Sequence, residues 1–286
     1  LLIALWAPSA PAEEGVAKAL GNFNERFTSP SADVRTSAVE DLSGLDDVRI
    51  ARKLVSTAFK DPDVVVNWAG VRVLGRMQDP EVVEWLCESA LKHSDVQVRY
   101  LTAESLARIP DPRAVEALAG RLDDPSWLAL SGVLRALAEH KASAHAARIR
   151  AHLAHKDFRV RVSAVDALGA MEDQESAGPI AALLGTDPDW RVQAAACEAL
   201  GRLKHVDAIP RLRSLFQKSD GRLKDDARLA IRALEAVEGE EKEGVEDPYA
   251  MTYEGIGSHS KLVVFILDCS VSMEGLVGNS AKTAEL

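Results

Sequence analysis

The chain has 286 residues, of which 47% are hydrophobic, 27% charged and only 5% aromatic, as is typical of a well-packed helical protein of one or two domains. Its net charge of −10, without a clustered basic patch, argues against nucleic acid as a partner. The cysteines Cys87, Cys197 and Cys269 have no metal-ligand spacing and no disulfide pattern, so we expect free, buried thiols.

The chain opens with a short apolar segment that ends in Ala10-Pro11-Ala12. Small residues in this arrangement after an apolar run are typical of a secretory cleavage site, although a flexible apolar tail is the alternative. The segment is too short to cross a bilayer, which takes roughly 20 residues, and no later segment approaches that length. We predict that residues 1–12 are a signal-peptide remnant and that the protein is exported, to the periplasm, cell envelope or exterior.

Six leucines then recur at intervals of 31 or 32 residues, and we call them the anchors. They are Leu42, Leu74, Leu106, Leu137, Leu168 and Leu200. Mostly apolar residues 8, 4 and 3 positions before each anchor and 3 after it form one stripe of an α-helix, with Thr102 and His140 as polar exceptions. Eleven residues before the anchors stand the predicted N-cap residues Ser31, Asp63, Asp95, Ser126, Asp157 and Asp189. A seventh, looser copy surrounds Leu234.

A second helix is predicted after each anchored helix, behind a turn that often contains Asp-Pro, as at Asp79-Pro80 and Asp111-Pro112. Proline suits the first turn of a helix, and the aspartate caps it. A two-helix hairpin of this kind cannot bury both faces alone and must stack on its neighbours. The sequence therefore predicts a mainly α protein, with an α-solenoid over residues 13–237.

The pattern Val160-Arg161…Ala164…Leu168-Gly169 recurs along this region and resembles the short HEAT-like repeats of the phycobilisome-lyase type. The arginines Arg35, Arg99 and Arg161 occupy one repeat position, where we expect them to bind acids of an adjacent turn; ligand binding is the alternative. The fourth repeat has Leu130 at this position and lacks the glycine and the acid of the turn. It is therefore predicted to have a longer hairpin turn or a local bend.

Two further groups of side chains were candidates for chemistry. Four histidines lie at positions 140, 145, 152 and 155, but no nearby acid or cysteine completes a zinc site, so a solvated helix face is the favoured interpretation. Trp127 and Trp190 share a repeat position with aliphatic residues and with Phe158, which predicts packing between repeats. Residues 238–260 are predicted to be a linker, because the acidic run from Glu235 to Asp247 repels itself.

Residues 262–267 form an unbroken apolar run, followed at alternate positions by Asp268, Ser270 and Ser272. Such a run is typical of a strand buried on both faces of a parallel sheet, and these sheets bind ligands beyond the carboxyl ends of their strands. All three side chains offer the hard oxygens that magnesium or calcium accepts. The alternative is an ordinary strand followed by a polar turn that has no role in binding.

The motif Asp268-x-Ser270-x-Ser272-Met273 resembles the metal-ion-dependent adhesion site of von Willebrand factor A domains. The resemblance implies that residues 261–286 begin a doubly wound α/β domain, truncated after its first strand. It also implies that Ser270 and Ser272 bind Mg²⁺ or another divalent cation directly, Asp268 acts through water, and a partner's carboxylate completes the site. The threonine and second aspartate of the family's later loops are missing here, so we expect no tight metal binding by this chain.

Taken together, the patterns predict an exported, non-enzymatic scaffold that binds protein partners on its concave solenoid surface. In the intact protein, the adhesion-type site would add metal-dependent binding of a carboxylate-bearing ligand. One alternative is an enzyme, because similar repeats occur in chromophore lyases; another is a purely structural spacer of the cell envelope.

Overall fold

The computed structural model describes residues 10–238, and its regular elements in this range are helices. The anchored helices are α2 (Ala32–Glu40), α4 (Val64–Leu74), α6 (Val96–Leu106), α8 (Trp127–Glu139), α10 (Phe158–Ala170), α12 (Trp190–Arg202) and α14 (Gly221–Glu238). The second helices of the hairpins are α3 (Val48–Ser56), α5 (Pro80–Glu88), α7 (Pro112–Ala119), α9 (Ala146–Arg150), α11 (Ala177–Leu183) and α13 (Ile209–Lys218). Helix α1 (Ala10–Arg26) precedes the first hairpin.

Each anchored helix packs on the next, from α2 to α14, which confirms the α-solenoid of two-helix repeats. One hydrophobic cluster runs through all the repeats, from Val16 to Leu234. The six anchors and Leu234 are at most 1% exposed, so the seventh copy is also confirmed. Burying each leucine contributes about 1.5–3 kcal/mol, so stability is spread along the stack.

The predicted N-caps all occupy the N-cap position, but only the aspartates cap with their side chains. The carboxylates of Asp63, Asp95, Asp157 and Asp189 accept the backbone N–H two residues ahead, at 2.8 to 3.0 Å. Ser31 and Ser126 make no such bond, so the side-chain cap predicted for them is wrong.

A buried arginine joins repeat 3 to repeat 4. The Arg99 guanidinium donates from Nε and Nη2 to the two carboxylate oxygens of Asp124, at 2.8 and 3.0 Å. Its Nη1 donates to the carbonyls of His93 and Ser94, in the turn before its own helix. We call this arrangement the arginine clamp; it confirms the expected bonds between these arginines and acids of an adjacent turn.

The clamp recurs in repeats 1 and 5. Arg35 binds Asp61, and Arg161 binds Asp187, in the same bidentate way. In repeats 2 and 6 the corresponding residue is an amide side chain, which donates to a carbonyl of its own preceding turn. Clamp and amide contacts therefore alternate through repeats 1–3 and again in repeats 5 and 6, whereas the fourth and seventh copies have Leu130 and Ala227 at this position.

In the fourth repeat the next helical segment has its N-cap at Ala142, five residues after the anchor, as in repeats 1–3, 5 and 6, so the longer turn expected there is not found. It differs from the turns of repeats 1–3 by a non-glycine residue in the left-handed region, Lys141, whose φ is +48°. Glu172 and Lys204 have φ values of +57° and +53° at the same place in repeats 5 and 6. The change therefore begins at the fourth repeat and continues to the sixth.

The remaining sequence predictions concern residues 1–9 and 239–286, which lie outside the described residues. They include the metal ligands Asp268, Ser270 and Ser272, the strand at residues 262–267, and the linker from residue 239 onward. All of these stay predictions. The signal-peptide remnant also stays a prediction, and helix α1 begins at Ala10 within its predicted range.

Candidate protein-binding surface

The anchored helices present a row of side chains on the side away from the core, which we call the ladder face. It consists of the positions six and two residues before each anchor, which are four apart and therefore share a helix face. The first set is Thr36, Trp68, Tyr100, Ser131, Val162, Ala194 and Arg228. The second set is Glu40, Arg72, Glu104, Arg135, Asp166, Glu198 and Arg232.

At the centre of the ladder face, two aromatic rings and an ion pair form one cluster. The rings of Trp68 and Tyr100 meet edge to face, with centroids 6.4 Å apart and planes at 87°. The Arg135 guanidinium lies 5.9 Å from the Tyr100 ring, and its Nη2 donates to the phenol oxygen at 2.9 Å. Its Nε donates to Glu104 Oε1, also at 2.9 Å. Side chains from α4, α6 and α8 therefore hold one another in fixed orientations.

Gly132 makes room for this cluster. It lies inside α8, and a Cβ built on it would sit 2.8 Å from Cδ2 of Tyr100. Real Cβ atoms do not come so close to a ring, so a larger residue would displace Tyr100. A glycine inside a helix costs roughly 0.5–1 kcal/mol relative to alanine, and here it lets the Tyr100 ring approach the helix.

The charges of the cluster are only partly solvated. Glu104 is 6% exposed, and burial raises the pKa of its carboxyl, while the neighbouring Arg135 acts in the opposite direction. The Arg135 side chain is 42% exposed, so one edge of its guanidinium faces solvent. Two repeats to the N-terminal side, Arg72 binds Glu40 at 2.9 Å. Half-buried tryptophan, tyrosine and arginine are the residue types enriched in the energetic centres of protein interfaces.

A second aromatic row lies at the N-terminal ends of the anchored helices. The Arg159 guanidinium stacks on Trp127, with Cζ 3.7 Å from the ring centre, and Arg191 stacks on Phe158 at the same distance. The expected packing between repeats is thus found for Trp127 and Phe158. Trp190 has no such cover, because the next repeat supplies no arginine there; it is 46% exposed, compared with 37% for Trp127.

The histidines do not form the solvated helix face that was expected. Helix α9 ends at Arg150, and His145 and His152 lie in 3-10 turns on either side of it. His145 Nε2 is 3.6 Å from a Glu116 carboxylate oxygen, and burial lowers the pKa of His152. The turns break the regular helix, so these side chains are half-buried.

Metal and thiol chemistry finds little support in the part of the chain that the structure describes. Residues 10–238 contain no group of three or more His, Cys, Asp and Glu side chains suited to a metal ion. Burial raises the pKa of the Cys87 thiol to about 11 and of Cys197 to about 12, so both stay protonated at neutral pH. The prediction of free, buried thiols is confirmed for these two. Cys269 lies outside the described residues.

Sequence reasoning missed the central cluster of Trp68, Tyr100 and Arg135. Each of the three lies at a repeat position whose residue type varies from copy to copy. The periodic pattern therefore does not single these residues out. One signal was present: the positions two before the anchors alternate between acid and arginine through the first four repeats. Alternating charges on stacked neighbours favour ion pairs between repeats.

A family model for HEAT repeats matches residues 51–138, 83–165 and 146–234, which together make up more than half of the chain. Among solved structures, the complex of CpcE and CpcF of phycocyanin lyase from Nostoc sp. is similar, at 20% identity and a TM-score of 0.41. That match covers 82% of this chain and 98% of the other. Human deoxyhypusine hydroxylase matches at 16% identity and a TM-score of 0.35, covering 79% and 100% of the two chains.

An engineered protein matches at 20% identity and a TM-score of 0.40, covering 80% of this chain and 98% of its own. Among curated proteins, none is significantly similar to this chain in sequence. None of the helices within residues 10–238 is both long and apolar enough to span a membrane.

Proposed function

Since the chain belongs to the HEAT-repeat family, we propose that its solenoid is a non-enzymatic scaffold that binds a protein partner on the ladder face. The observation that carries the proposal is the cluster of Trp68, Tyr100 and Arg135, which is half-buried and fixed by contacts between three repeats. Stacked repeats of this kind offer extended surfaces suited to protein recognition.

The central cluster is prepared for binding because its side chains are already ordered. Immobilising a flexible side chain in an interface costs about 0.5–1.5 kcal/mol. The Tyr100 hydroxyl and the Arg135 guanidinium hold each other in the free protein, so most of that cost does not fall on the complex. A fitting partner places apolar side chains over Trp68 and an acceptor against the solvent-facing edge of Arg135.

Site-specific photo-crosslinking tests this assignment. A photoreactive phenylalanine analogue placed at Trp68 or Tyr100 should give a discrete adduct in an extract of the native cells, with unmodified protein competing. The same photoreactive group should give no adduct when it is placed at Trp85, which is a half-buried tryptophan in the second helix of its hairpin. Once the partner is isolated, Trp68→Ala or Arg135→Ala should weaken its binding on the order of tenfold or more.

Two outcomes would contradict this function. Equal crosslinking from Trp85 and Trp68 would show that the ladder face is not selective. Absence of any competed adduct, with the protein folded by circular dichroism, would favour the structural spacer instead. Gly132→Ala is a second variant for this purpose, because it displaces Tyr100 without removing an interface side chain.

We also propose that the protein is exported, since Ala10-Pro11-Ala12 follows an apolar run typical of a signal peptide. Mass spectrometry of the protein from its native cells should find a mature N-terminus at Glu13. An N-terminus upstream of residue 1, or protein confined to the cytosolic fraction, would refute this part of the proposal.

Metal-dependent binding is the last part of the proposal and rests on the sequence of residues 268–272. Asp268, Ser270 and Ser272 are proposed to hold Mg²⁺ or another divalent cation in a protein that carries the complete domain, with a partner carboxylate as a further ligand. Calorimetry with Mg²⁺ or Mn²⁺ on such a protein should show binding that EDTA reverses and Asp268→Ala removes. Unchanged binding by the Asp268→Ala variant would place the metal elsewhere.

A further inference from the structure

Trp190 is the last member of the aromatic row at the N-terminal ends of α8, α10 and α12. In the two earlier members, an arginine from the following repeat covers the ring. Each of these arginines is also held by an N-cap aspartate: Arg159 by Asp157 and Arg191 by Asp189, with bonds of 2.7 to 3.0 Å. The pattern is therefore a regular stack of ring, guanidinium and carboxylate.

The seventh copy interrupts this stack. The residue corresponding to Arg159 and Arg191 is Asp225, whose carboxylate binds Arg228 at 2.7 Å. The residue before it, Lys224, lies 4.9 Å from the ring of Phe216. Trp190 consequently keeps an open ring where the two earlier rings are covered.

The open ring borders a groove of about 740 Å³ between the turn that follows α11 and the start of α14. Trp190, Leu184, Leu215 and Leu223 supply its apolar lining. One wall is fixed by Gln193, whose side chain accepts from the Gly185 N–H and donates to the Asp187 carbonyl. A groove with a firm wall and an apolar floor suits an extended peptide segment.

The rim of the groove is basic, in contrast to the acidic chain around it. Arg211, Lys218 and Arg222 line it, against a single acid, Asp220. Within residues 10–238, no carboxylate lies in ion-pair distance of Arg211 or Lys218, and Arg222 reaches Asp226 only at 3.9 Å. The first turn of α14 opens on the same groove, and its dipole adds to the positive potential.

We propose that this groove is a second binding site, separate from the ladder face, for an acidic peptide segment of a partner protein. An apolar side chain of the segment covers Trp190, and neighbouring glutamate or aspartate side chains pair with Lys218, Arg211 and Arg222. Charge decides against the other obvious occupant, an arginine that would complete the stack, because three cations already line the groove.

Fluorescence anisotropy with the full chain tests the site directly. The probe is a labelled peptide that alternates glutamate with leucine, and its counterpart with lysine in place of glutamate is the charge control. The acidic peptide should bind, and added salt should weaken the binding because the pairs are at the surface. Trp190→Ala and Lys218→Glu should each raise its Kd on the order of tenfold.

Matched variants separate the groove from general effects. Trp127→Ala removes the ring at the same repeat position that Arg159 already covers, and Lys156→Glu reverses an exposed lysine outside the groove; both should leave the Kd unchanged. Trp68→Ala on the ladder face should also leave it unchanged, so failure of one site is distinguishable from failure of the other. Trp190→Phe should retain most of the binding, provided that a ring is what the segment needs.

Three results would overturn the proposal. Equal or tighter binding of the lysine peptide would assign Trp190 to a cation that completes the stack. An unchanged Kd in both Trp190→Ala and Lys218→Glu would place the peptide elsewhere. Self-association of the wild-type chain in sedimentation, lost in Trp190→Ala, would make a second copy of this chain the occupant.

Discussion

The hairpin turns of repeats 1–3 and repeats 4–6 place the next N-cap at the same distance from the anchor, five residues on, but have different backbones. In the first group, an aspartate caps the second helix: Asp47, Asp79 and Asp111 each accept the backbone N–H two residues ahead at 2.8 Å. In the second group, a non-glycine residue with positive φ, four residues after the anchor, turns the chain, and a short 3-10 segment begins the second half of the hairpin. In the first group, the one residue with positive φ is Gly44, two residues after its anchor.

The two turns differ in which backbone N–H group donates to the carbonyl of the anchor. In repeat 2, the Leu74 carbonyl accepts from the N–H three residues ahead, at 3.0 Å. In repeat 5, the Leu168 carbonyl accepts from the N–H five residues ahead, at 3.1 Å, as in a Schellman motif. In both turns, the carbonyl at the end of the anchored helix therefore has a backbone hydrogen-bond partner. The anchors are equally buried in both regions, and the residues of the turn decide which backbone conformation it adopts.

Removing the clamp where the two regions meet should have the largest effect. Arg99→Met removes the bidentate partner of the 1%-exposed Asp124 side chain and leaves Arg121, at 2.5 Å, as its only ion-pair partner. The loss should therefore lie near the lower end of the about 3–5 kcal/mol that breaking a buried pair costs. Urea unfolding measures the loss. Arg113→Met removes an exposed arginine from Asp111 and should change stability little. If both variants lost the same stability, the clamp would have no special role at the junction.

Truncating one anchor in each region should have a comparable cost. Leu106→Ala and Leu168→Ala each create a cavity in a fully buried position and should cost about 2–5 kcal/mol. Hydrogen exchange should show weaker protection in the repeats on both sides of each change. Protection lost only in the helix that carries the substitution would contradict the coupling between neighbours.

Removing the side chain at the N-cap of the second helical segment should lower the stability of the fold in the first region (repeats 1–3) and have little effect in the second (repeats 4–6). Asp79→Ala removes a side-chain cap and should cost about 0.5–2 kcal/mol. His205 occupies the same position in repeat 6 without capping, so His205→Ala should cost much less by the same thermal or urea measurement. Equal losses would show that the two turns are energetically alike.

Glycine should have opposite effects on the two turns. Glu172→Gly relieves a left-handed conformation and should stabilise the protein by about 0.5–1 kcal/mol. Gln78 holds the equivalent position in repeat 2 without positive φ, so Gln78→Gly should destabilise by a similar amount. Thermal unfolding of the two variants measures this, and the same sign for both would refute the backbone assignment.

At the N-caps of the anchored helices, acid should remove a stabilising contribution that only the second region has, because only Asp157 and Asp189 bind an arginine there. The side-chain bond from Arg159 lowers the pKa of Asp157 to about 2, from an ordinary value of 3.8. Its charge therefore stabilises the fold above pH 4, and this contribution is lost as the pH falls toward 2. Asp157→Asn should be less stable than wild type at pH 6 and equal to it near pH 2. Asp95→Asn, where Gln97 replaces the arginine, should show a smaller difference at pH 6.

The sequence by itself determined the repeat, because a leucine every 31 or 32 residues with apolar neighbours at helical spacing has few other solutions. It also predicted the N-cap positions and the bonds of Arg35, Arg99 and Arg161, since caps and charge partners follow from local chemistry. Because few substitutions are tolerated in the buried apolar stripe, it can be recognised in a single sequence.

Only the tertiary structure decided which side chains meet across repeats. Trp68, Tyr100 and Arg135 are more than 30 residues apart in sequence from one helix to the next, and their contact depends on how far each helix is rotated in the stack. The ring of Trp190 is likewise open because the next repeat has Asp225 where the two earlier repeats have an arginine. Contacts of this kind depend on distances between helices, which hydrophobic periodicity does not encode.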